Sequence, residues 1–167
     1  MFRLATNEDV NEIQKLLTDA WRVTYKNLYS EAYIESVIVE FFNEDRLLKE
    51  TSHSSKEWSG YYVLVKDQRI VGCIGGGVSN NNTGEIYVLY LDPSQKRKGY
   101  GTTLVNKFTE IQKDQYSITR QKVSVSKGNE MGIPFYKRLG FDEYEVRDTY
   151  YQDANENYQS ISMIRKV

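Results

Sequence analysis

One stretch of the sequence joins an apolar strand to a glycine loop and a helix. Residues 85–91 form a nearly continuous apolar run, which predicts a strand buried on both faces. Asp92-Pro93 ends that strand, and the loop at residues 95–101 then carries three consecutive cations and two glycines. A helix follows, with Leu104, Val105, Phe108 and Ile111 on one stripe. This unit favours a sheet with helices packed on its faces.

The glycine loop has the composition of an anion site. A helix N-terminus presents backbone amides without intrahelical acceptors and the positive end of the helix dipole. Gly99 and Gly101 have no Cβ atom, so their amides can approach an anion closely. Lys96, Arg97 and Lys98 add positive charge at the same place. The pattern predicts a ligand that carries a phosphate or a pyrophosphate.

Two familiar phosphate motifs do not fit this loop. A dinucleotide fingerprint requires a third glycine at position 104, which is leucine. A P-loop requires lysine followed by serine or threonine, but Gly101 is followed by Thr102-Thr103. The alternative is a solvated basic turn that merely begins a helix, and the preceding strand and Pro93 argue against it.

Composition limits the chemistry that such a site can use. The chain has 167 residues, 40% apolar and 27% charged, which favours a single folded domain over residues 1–167. Cys73 and His53 are the only cysteine and histidine, so no intramolecular disulfide forms, and a metal site or a His-based triad is not expected. Fourteen tyrosines make the phenol the most available side chain for proton transfer.

Charge and hydropathy restrict the partners and the location. The net charge of −1 argues against binding nucleic acid through bulk positive charge. No segment approaches the run of about 20 apolar residues that a membrane span requires. The N-terminus lacks the apolar region of a signal peptide. We therefore expect a cytoplasmic protein with no nucleic-acid or membrane partner.

Hydrophobic periodicity predicts the order of the remaining elements. Apolar residues at helical spacing predict helices that begin near residues 10, 33, 43, 102 and 130. Turns are predicted at Asp67-Gln68 and at residues 80–84, and Gly75-Gly76-Gly77 predicts a strand end or a bulge. Predicted strands cover residues 2–5, 61–65, 70–74, 85–91, 122–126, 141–151 and 158–167.

Two of these segments together resemble the GCN5-related N-acetyltransferase (GNAT) family. The family pattern Arg/Gln-x-x-Gly-x-Gly/Ala after a strand is matched by residues 96–101, with Lys96 at the Arg/Gln position. A second family block, Asn-x-x-Ala-x-x-Phe-Tyr-x-x-x-Gly-Phe, is matched by residues 129–141, with Gly132 in place of alanine. The N-terminal third resembles the family only in its pattern of elements.

The resemblance implies a fold and a cofactor. The fold is α+β (mixed α/β): a mixed, mostly antiparallel sheet of about six or seven strands flanked by about four helices, with a splayed central parallel pair. The cofactor is acetyl-CoA or coenzyme A, whose pantetheine arm fills the gap between the splayed strands. By position, the residues implied to bind it are Leu89, Tyr90, Leu91, Lys96, Arg97, Lys98, Gly99, Tyr100, Gly101, Thr102, Asn129 and Tyr136.

The resemblance also assigns roles in proton transfer. Tyr136 matches the family's general acid, and a phenol with a pKa of about 10 can donate a hydrogen bond or a proton to a thiolate with a reference pKa of about 8.5. The alternative for Tyr136 is a ring that only packs on the sheet. Glu85 opens the central strand, where family members often have a glutamate that acts as a base through water. A solvated strand end is the alternative for Glu85, and Tyr87 is a second candidate base.

The acceptor is expected in the N-terminal third. Residues 27–50 contain six acidic residues against two basic ones, and several aromatic residues lie nearby in sequence. Acids and aromatic rings suit an amine or a polyamine through charge pairing and cation–π contacts. A solvated helix face with core aromatics is the alternative. The predicted substrate-binding residues are Trp21, Tyr25, Tyr29 and Glu31.

The implied reaction is acetyl transfer from acetyl-CoA to a primary amine of a small molecule. We expect direct attack in a ternary complex, because no nucleophile stands in a motif; an acyl carrier at Cys73 is the rival mechanism. Two other functions stay open: a peptide or protein N-acetyltransferase, and a CoA-binding regulatory module without turnover. Homodimers occur in the family, so a homodimer is compatible with the resemblance.

Overall fold

A seven-stranded sheet organises the protein, whose computed structural model describes residues 1–79, 81–152 and 156–167. The strands lie in the order β1-β2-β3-β4-β5-β7-β6, and every neighbouring pair is antiparallel except β4 and β5. The predicted mixed, mostly antiparallel sheet is therefore confirmed. The strands are β1 (Phe2–Leu4), β2 (Tyr61–Lys66), β3 (Arg69–Val78), β4 (Thr83–Leu91), β5 (Arg120–Ser126), β6 (Asp142–Asp148) and β7 (Gln159–Lys166).

Five α-helices are present in the described residues, where the resemblance implies about four. Asn43 separates the second from the third, because its side-chain oxygen accepts a hydrogen bond from the Arg46 amide at 2.9 Å and so begins a new helix. Among the described residues, no helix is long and apolar enough to span a bilayer. The helices are α1 (Val10–Tyr25), α2 (Glu31–Phe41), α3 (Glu44–Ser52), α4 (Tyr100–Tyr116) and α5 (Gly132–Arg138).

The two faces of the sheet carry separate cores. Alternate residues of β2 divide between them: Tyr61 and Val63 pack with α1, α2 and α3, whereas Tyr62 and Leu64 pack with α4 and α5. This division follows from the two-residue repeat of a strand. Both cores contain aromatic rings, and the first has more of them.

A β-bulge lies in the middle of β4. Gly75 pairs with Val88 and Gly76 pairs with Ile86, so Tyr87 has no partner on β3. A Cβ atom on Gly76 would collide with the backbone of Glu85, which explains why this position of β3 is glycine. Of the two alternatives that the glycine run predicts, the structure has the bulge.

The parallel pair β4 and β5 is joined only at its beginning. Pairing runs from Thr83 opposite Arg120 to Ile86 opposite Val123, and beyond this point the two strands separate. The predicted splayed pair is thus present. The turn predicted at residues 80–84 is described from Asn81 onward, with Asn82 at a positive φ of 52°, and Asn80 lies outside the described residues.

Candidate active site

The gap between β4 and β5 leaves a strand edge open. Leu89, Tyr90 and Leu91 pair with β3 on one side, but no described strand pairs with them on the side that faces β5. Backbone groups along this edge can therefore bond an extended ligand. An amide-bearing arm such as pantetheine fits this edge, because its amides can form hydrogen bonds with the β4 backbone where pairing with β5 has ended.

The glycine loop joins this open edge to α4. Asp92 begins the turn, and its carboxylate accepts hydrogen bonds from the amide and the hydroxyl of Ser94, at 2.9 and 2.8 Å. The hydrogen bond from the Ser94 amide lowers the pKa of Asp92. Gly99 has a φ of 79° and stands immediately before the helix. A Cβ atom on Gly101 would lie 3.3 Å from the Phe135 ring, so this first turn of α4 packs tightly against α5.

The three cationic side chains of the loop are available to an external ligand. Lys96 is half-buried, and Arg97 and Lys98 are exposed. Within the described residues none of them forms an ion pair with a carboxylate; Lys98 instead donates to the Gln95 side-chain oxygen at 2.9 Å. The loop and the first amides of α4 therefore suit a pyrophosphate.

Tyr136 is buried in the second core. Its ring centre lies 5.0 Å from that of Phe135 and 5.4 Å from that of Phe141. No described residue hydrogen-bonds its hydroxyl, and burial raises its pKa well above the ordinary value for tyrosine. The phenol therefore stays protonated near neutral pH, as a proton donor must.

Asn129 fixes the helix that carries Tyr136. Its side-chain oxygen accepts hydrogen bonds from the amides of Gly132 and Met131, at 2.9 and 3.2 Å. A Cβ atom on Gly132 would lie 2.8 Å from the Asn129 side-chain nitrogen, so this side chain packs closely on the first turn of the helix. A contact between Asn129 and the cofactor stays a prediction.

Tyr25, the last residue of α1, and Tyr29, in the turn that follows, lie at the gap between the strands. The Tyr25 hydroxyl is 2.9 Å from the Tyr90 hydroxyl, and the Tyr29 hydroxyl is bonded to Ser126 at the end of β5. Burial raises the pKa of Tyr25 to about 12. Both rings are buried in the first core, and their predicted role in substrate binding stays a prediction.

A cavity of about 700 Å³ opens on the α1 side of the sheet. Its charged lining consists of three carboxylates and one guanidinium, from Glu50, Glu57, Glu85 and Arg46. Much of the remaining wall is aromatic and includes Trp21, Phe42, Trp58, Tyr61, Tyr90 and Tyr151. The cavity therefore combines net negative charge with aromatic faces, which suits a cation.

Of the four predicted acceptor residues, only Trp21 is among the residues that line this cavity. Trp21 lines the cavity, and its ring centre is 4.3 Å from that of Tyr25. Glu31 is exposed at the start of α2 and is not part of the lining. Glu50 belongs to the acidic stretch of residues 27–50, whereas Glu57 lies beyond it, and only the folded backbone brings Glu57 to the wall.

The bulge in β4 directs two successive side chains to the cavity. Tyr87 and Val88 both line it, with the half-buried Glu85 beside them. Tyr87 is 52% exposed, and partial burial together with the carboxylates of Glu85 and Glu57 raises its pKa. Glu85 and Tyr87, the two candidate bases, therefore lie on the same wall.

Gln112 of α4 holds the backbone next to Glu85 and was not identified from the sequence. It is fully buried, and its side-chain nitrogen donates to the carbonyl oxygens of Gly77 and Glu85, at 2.9 and 3.2 Å. Its side-chain oxygen accepts from Gln121 at 3.0 Å. A polar residue within an amphipathic helix gives no sign that it faces the sheet.

The thiol of Cys73 is sealed inside the first core. The residue is fully buried in β3, and burial raises the pKa of the thiol to about 12. A thiol of this kind is neither ionised at neutral pH nor open to a ligand. The geometry therefore favours direct transfer over an acyl carrier at this position.

Comparison with known proteins identifies the family. The model of the acetyltransferase (GNAT) family matches residues 11–141. A spermidine N(1)-acetyltransferase of Thermoplasma acidophilum is 31% identical over 143 residues, which cover 85% of this chain and 86% of that protein.

Solved structures agree with this match. The PaiA N-acetyltransferase of T. acidophilum, in complex with coenzyme A, is 28% identical, has a TM-score of 0.83 and covers all of this chain and 98% of that one. The ribosomal-protein-S18-alanine N-acetyltransferase of Escherichia coli shares the fold at 14% identity, with a TM-score of 0.73 over 100% of this chain and 93% of that one. The chain belongs to the GNAT acetyltransferase family and is an acetyl-CoA-dependent acyltransferase.

Proposed function

We propose that the protein acetylates a primary amine of a small polyamine-like acceptor, by direct attack in a ternary complex with acetyl-CoA. The cavity beside β4 carries this proposal, because its wall has three carboxylates against one guanidinium and many aromatic rings. Polyamines are multiply protonated at neutral pH and match such a wall by charge pairing and cation–π contacts. The name of the relative from T. acidophilum supports the same acceptor class.

The proposed cofactor site runs from the open edge of β4 to the start of α4. When bound, acetyl-CoA supplies an acetyl group that is activated as a thioester. The backbone of Leu89, Tyr90 and Leu91 holds the pantetheine arm and directs an amide at the acetyl oxygen. Asn129 borders the same site. The pyrophosphate binds at the loop, formed by Lys96, Arg97, Lys98, Gly99, Tyr100, Gly101 and Thr102.

Two side chains move protons in the proposed reaction. Glu85 takes the proton of the substrate ammonium through water, because an ammonium with a pKa of about 10 cannot attack until it is deprotonated. Tyr136 donates to the sulfur that leaves. Its raised pKa keeps the phenol protonated, so that a hydrogen bond is available before the sulfur gains charge, although complete transfer becomes less favourable.

Direct transfer makes a kinetic prediction that separates it from the rival mechanism. Buried Cys73 is not open to the acetyl group, so Cys73→Ala should keep its activity and give intersecting lines in a two-substrate kinetic analysis. Parallel lines in the wild type, together with loss of activity in Cys73→Ala, would support an acyl carrier instead.

A thiol-release assay tests the function directly. Acetyl-CoA is supplied with one acceptor at a time from a panel of spermidine, diamines, amino acids, aminoglycosides and peptides. We expect the highest kcat/KM with the polyamines. Preference for peptides would favour a peptide or protein N-acetyltransferase. Binding of acetyl-CoA without CoA release for any amine would indicate a regulatory module without turnover.

The proposal treats the protein as a single domain, and its assembly state is a separate prediction. Residues 1–167 act as one acetyltransferase domain, because strands from both halves of the chain join a single sheet. A cytoplasmic location, the absence of nucleic-acid and membrane partners, and a homodimer stay predictions. Light scattering during gel filtration would measure the assembly state.

A further inference from the structure

The segment before β2 is fixed against the glycines of β3. The Ser59 amide donates to the Gly76 carbonyl at 2.8 Å, and the Val78 amide donates to the Lys56 carbonyl at 2.7 Å. Between these bonds, the backbone of Glu57 lies so close to Gly77 that a Cβ atom there would collide with it. The position of Glu57 is therefore defined by β3 on both sides, although its side chain is exposed.

Glu57 and Glu85 approach the same aromatic ring from different segments. Gly77, which contacts the Glu57 backbone, is the register partner of Glu85 on β4. Both carboxylates line the cavity with Tyr87, and both act electrostatically on the Tyr87 hydroxyl. An exposed phenol ring on a wall with two carboxylates is a site that a cation can occupy.

The other carboxylate of the cavity is already engaged. One oxygen of Glu50 accepts a hydrogen bond from the Arg46 guanidinium at 2.9 Å, and the other is buried in the wall. Arg46 also lies over the Phe41 ring, 4.6 Å from its centre. Glu57, by contrast, forms no ion pair with any residue in the described part of the chain.

We propose that Glu57 and the ring of Tyr87 bind a second ammonium group of the acceptor, so that the enzyme selects diamines and longer polyamines over monoamines. This assignment rests on the proposed function, in which Glu85 serves the amine that reacts. Glu57 thus acts as a specificity-determining residue. It holds the acceptor by the amine that does not react, and its contribution lies in KM rather than in kcat.

The test compares two acceptors of equal length, diaminobutane with an amine at each end and butylamine with one. KM and kcat are measured for the wild type, Glu57→Gln, Tyr87→Leu and Glu40→Gln. Glu40 is exposed on α2, does not line the cavity and controls for the loss of one negative charge. We expect Glu57→Gln to raise KM for the diamine roughly fivefold, the equivalent of one ion pair of about 1 kcal/mol, with kcat unchanged.

The monoamine supplies the decisive contrast. Its KM should be the same in the wild type and in Glu57→Gln, because it has no second ammonium to lose. Tyr87→Leu should also reduce the preference for the diamine, and Glu40→Gln should preserve it. Equal effects of Glu57→Gln on both acceptors, or no effect on either, would overturn the assignment and leave the proposed function intact. Absence of acetylation of any amine by the wild type would overturn both.

Discussion

The hydroxyl oxygens of Tyr25 and Tyr90 lie 2.9 Å apart and join helix α1 to the open end of strand β4. The hydroxyl of Tyr29, in the turn after this helix, is hydrogen-bonded to the hydroxyl of Ser126 at the end of β5. The end of helix α1 and the turn after it therefore contact both strands where the parallel ladder leaves them apart. Burial raises the pKa of Tyr136, and the nearby Tyr25 raises it further. The proposed acid therefore belongs to a buried set of phenols that includes Tyr25 and Tyr90.

Removal of the Tyr136 hydroxyl should separate chemistry from binding. Tyr136→Phe is expected to lower kcat by about a hundredfold or more, the usual contribution of a general acid. Coenzyme A affinity should stay within about twofold, and the melting temperature should hardly change, because no described residue bonds this hydroxyl. Single-turnover kinetics and calorimetric titration measure the two effects. Wild-type turnover in Tyr136→Phe would remove Tyr136 from the acid role.

The first turn of α4 should not tolerate an acidic side chain. Gly101→Asp places negative charge where the pyrophosphate is proposed to bind and adds a Cβ atom 3.3 Å from Phe135. We expect coenzyme A affinity to fall at least about tenfold. Gly101→Ala adds the Cβ atom alone and should lose much less. Equal affinity of Gly101→Asp and the wild type in a titration would place the phosphates elsewhere.

The local part of this site is predictable from the sequence, and the assembled part is not. The strand, the Asp92-Pro93 turn and the glycine loop are consecutive, so spacing alone predicts their arrangement. Glu57 reaches the cavity only because glycines in β3 let another segment approach, and no pattern near Glu57 indicates this. Tyr25 and Tyr29 are of a residue type that suits a substrate wall, but the end of helix α1 and the turn after it bury both rings in the core.

Gln112 should prove important for stability. Gln112→Leu leaves the carbonyl oxygens of Gly77 and Glu85 without their side-chain donor and removes an acceptor from Gln121. Unsatisfied buried groups of this kind should lower the free energy of unfolding by about 2–4 kcal/mol, measured by urea denaturation. Gln112→Glu keeps the shape but not the donor and should lose a similar amount. Unchanged stability of both variants would contradict this role.

Alkaline pH should destabilise the protein through its buried phenols. Burial raises the pKa of Tyr25 to about 12, and the pKa values of Tyr90 and Tyr136 are raised as well. The unfolded chain releases these protons near pH 10, whereas the folded protein retains them, so the free energy of unfolding should fall as pH rises above about 10. The stabilisation is complete below that pH and decreases by up to about 1.4 kcal/mol per unit for each phenol.

Urea denaturation between about pH 8 and about pH 11.5 measures this decline. Tyr25→Phe removes one buried phenol and should make the decline shallower. Tyr150 is 94% exposed, so Tyr150→Phe should leave the decline as it is in the wild type. A free energy of unfolding that stays constant above pH 10 would show that these phenols ionise as easily in the folded protein as in the unfolded chain.

The final prediction concerns the base. If Glu85 accepts the proton of the substrate ammonium through water, Glu85→Gln should lower kcat/KM for the diamine and abolish or displace the acidic limb of its pH–rate profile. Glu57→Gln is a demanding comparison, because it removes an equal charge from the same wall and should alter KM while leaving that limb in place. Glu85→Asp keeps a carboxylate and should recover part of the rate. An acidic limb unchanged in Glu85→Gln would assign the proton transfer to another group, with Tyr87 on the same wall as the next candidate.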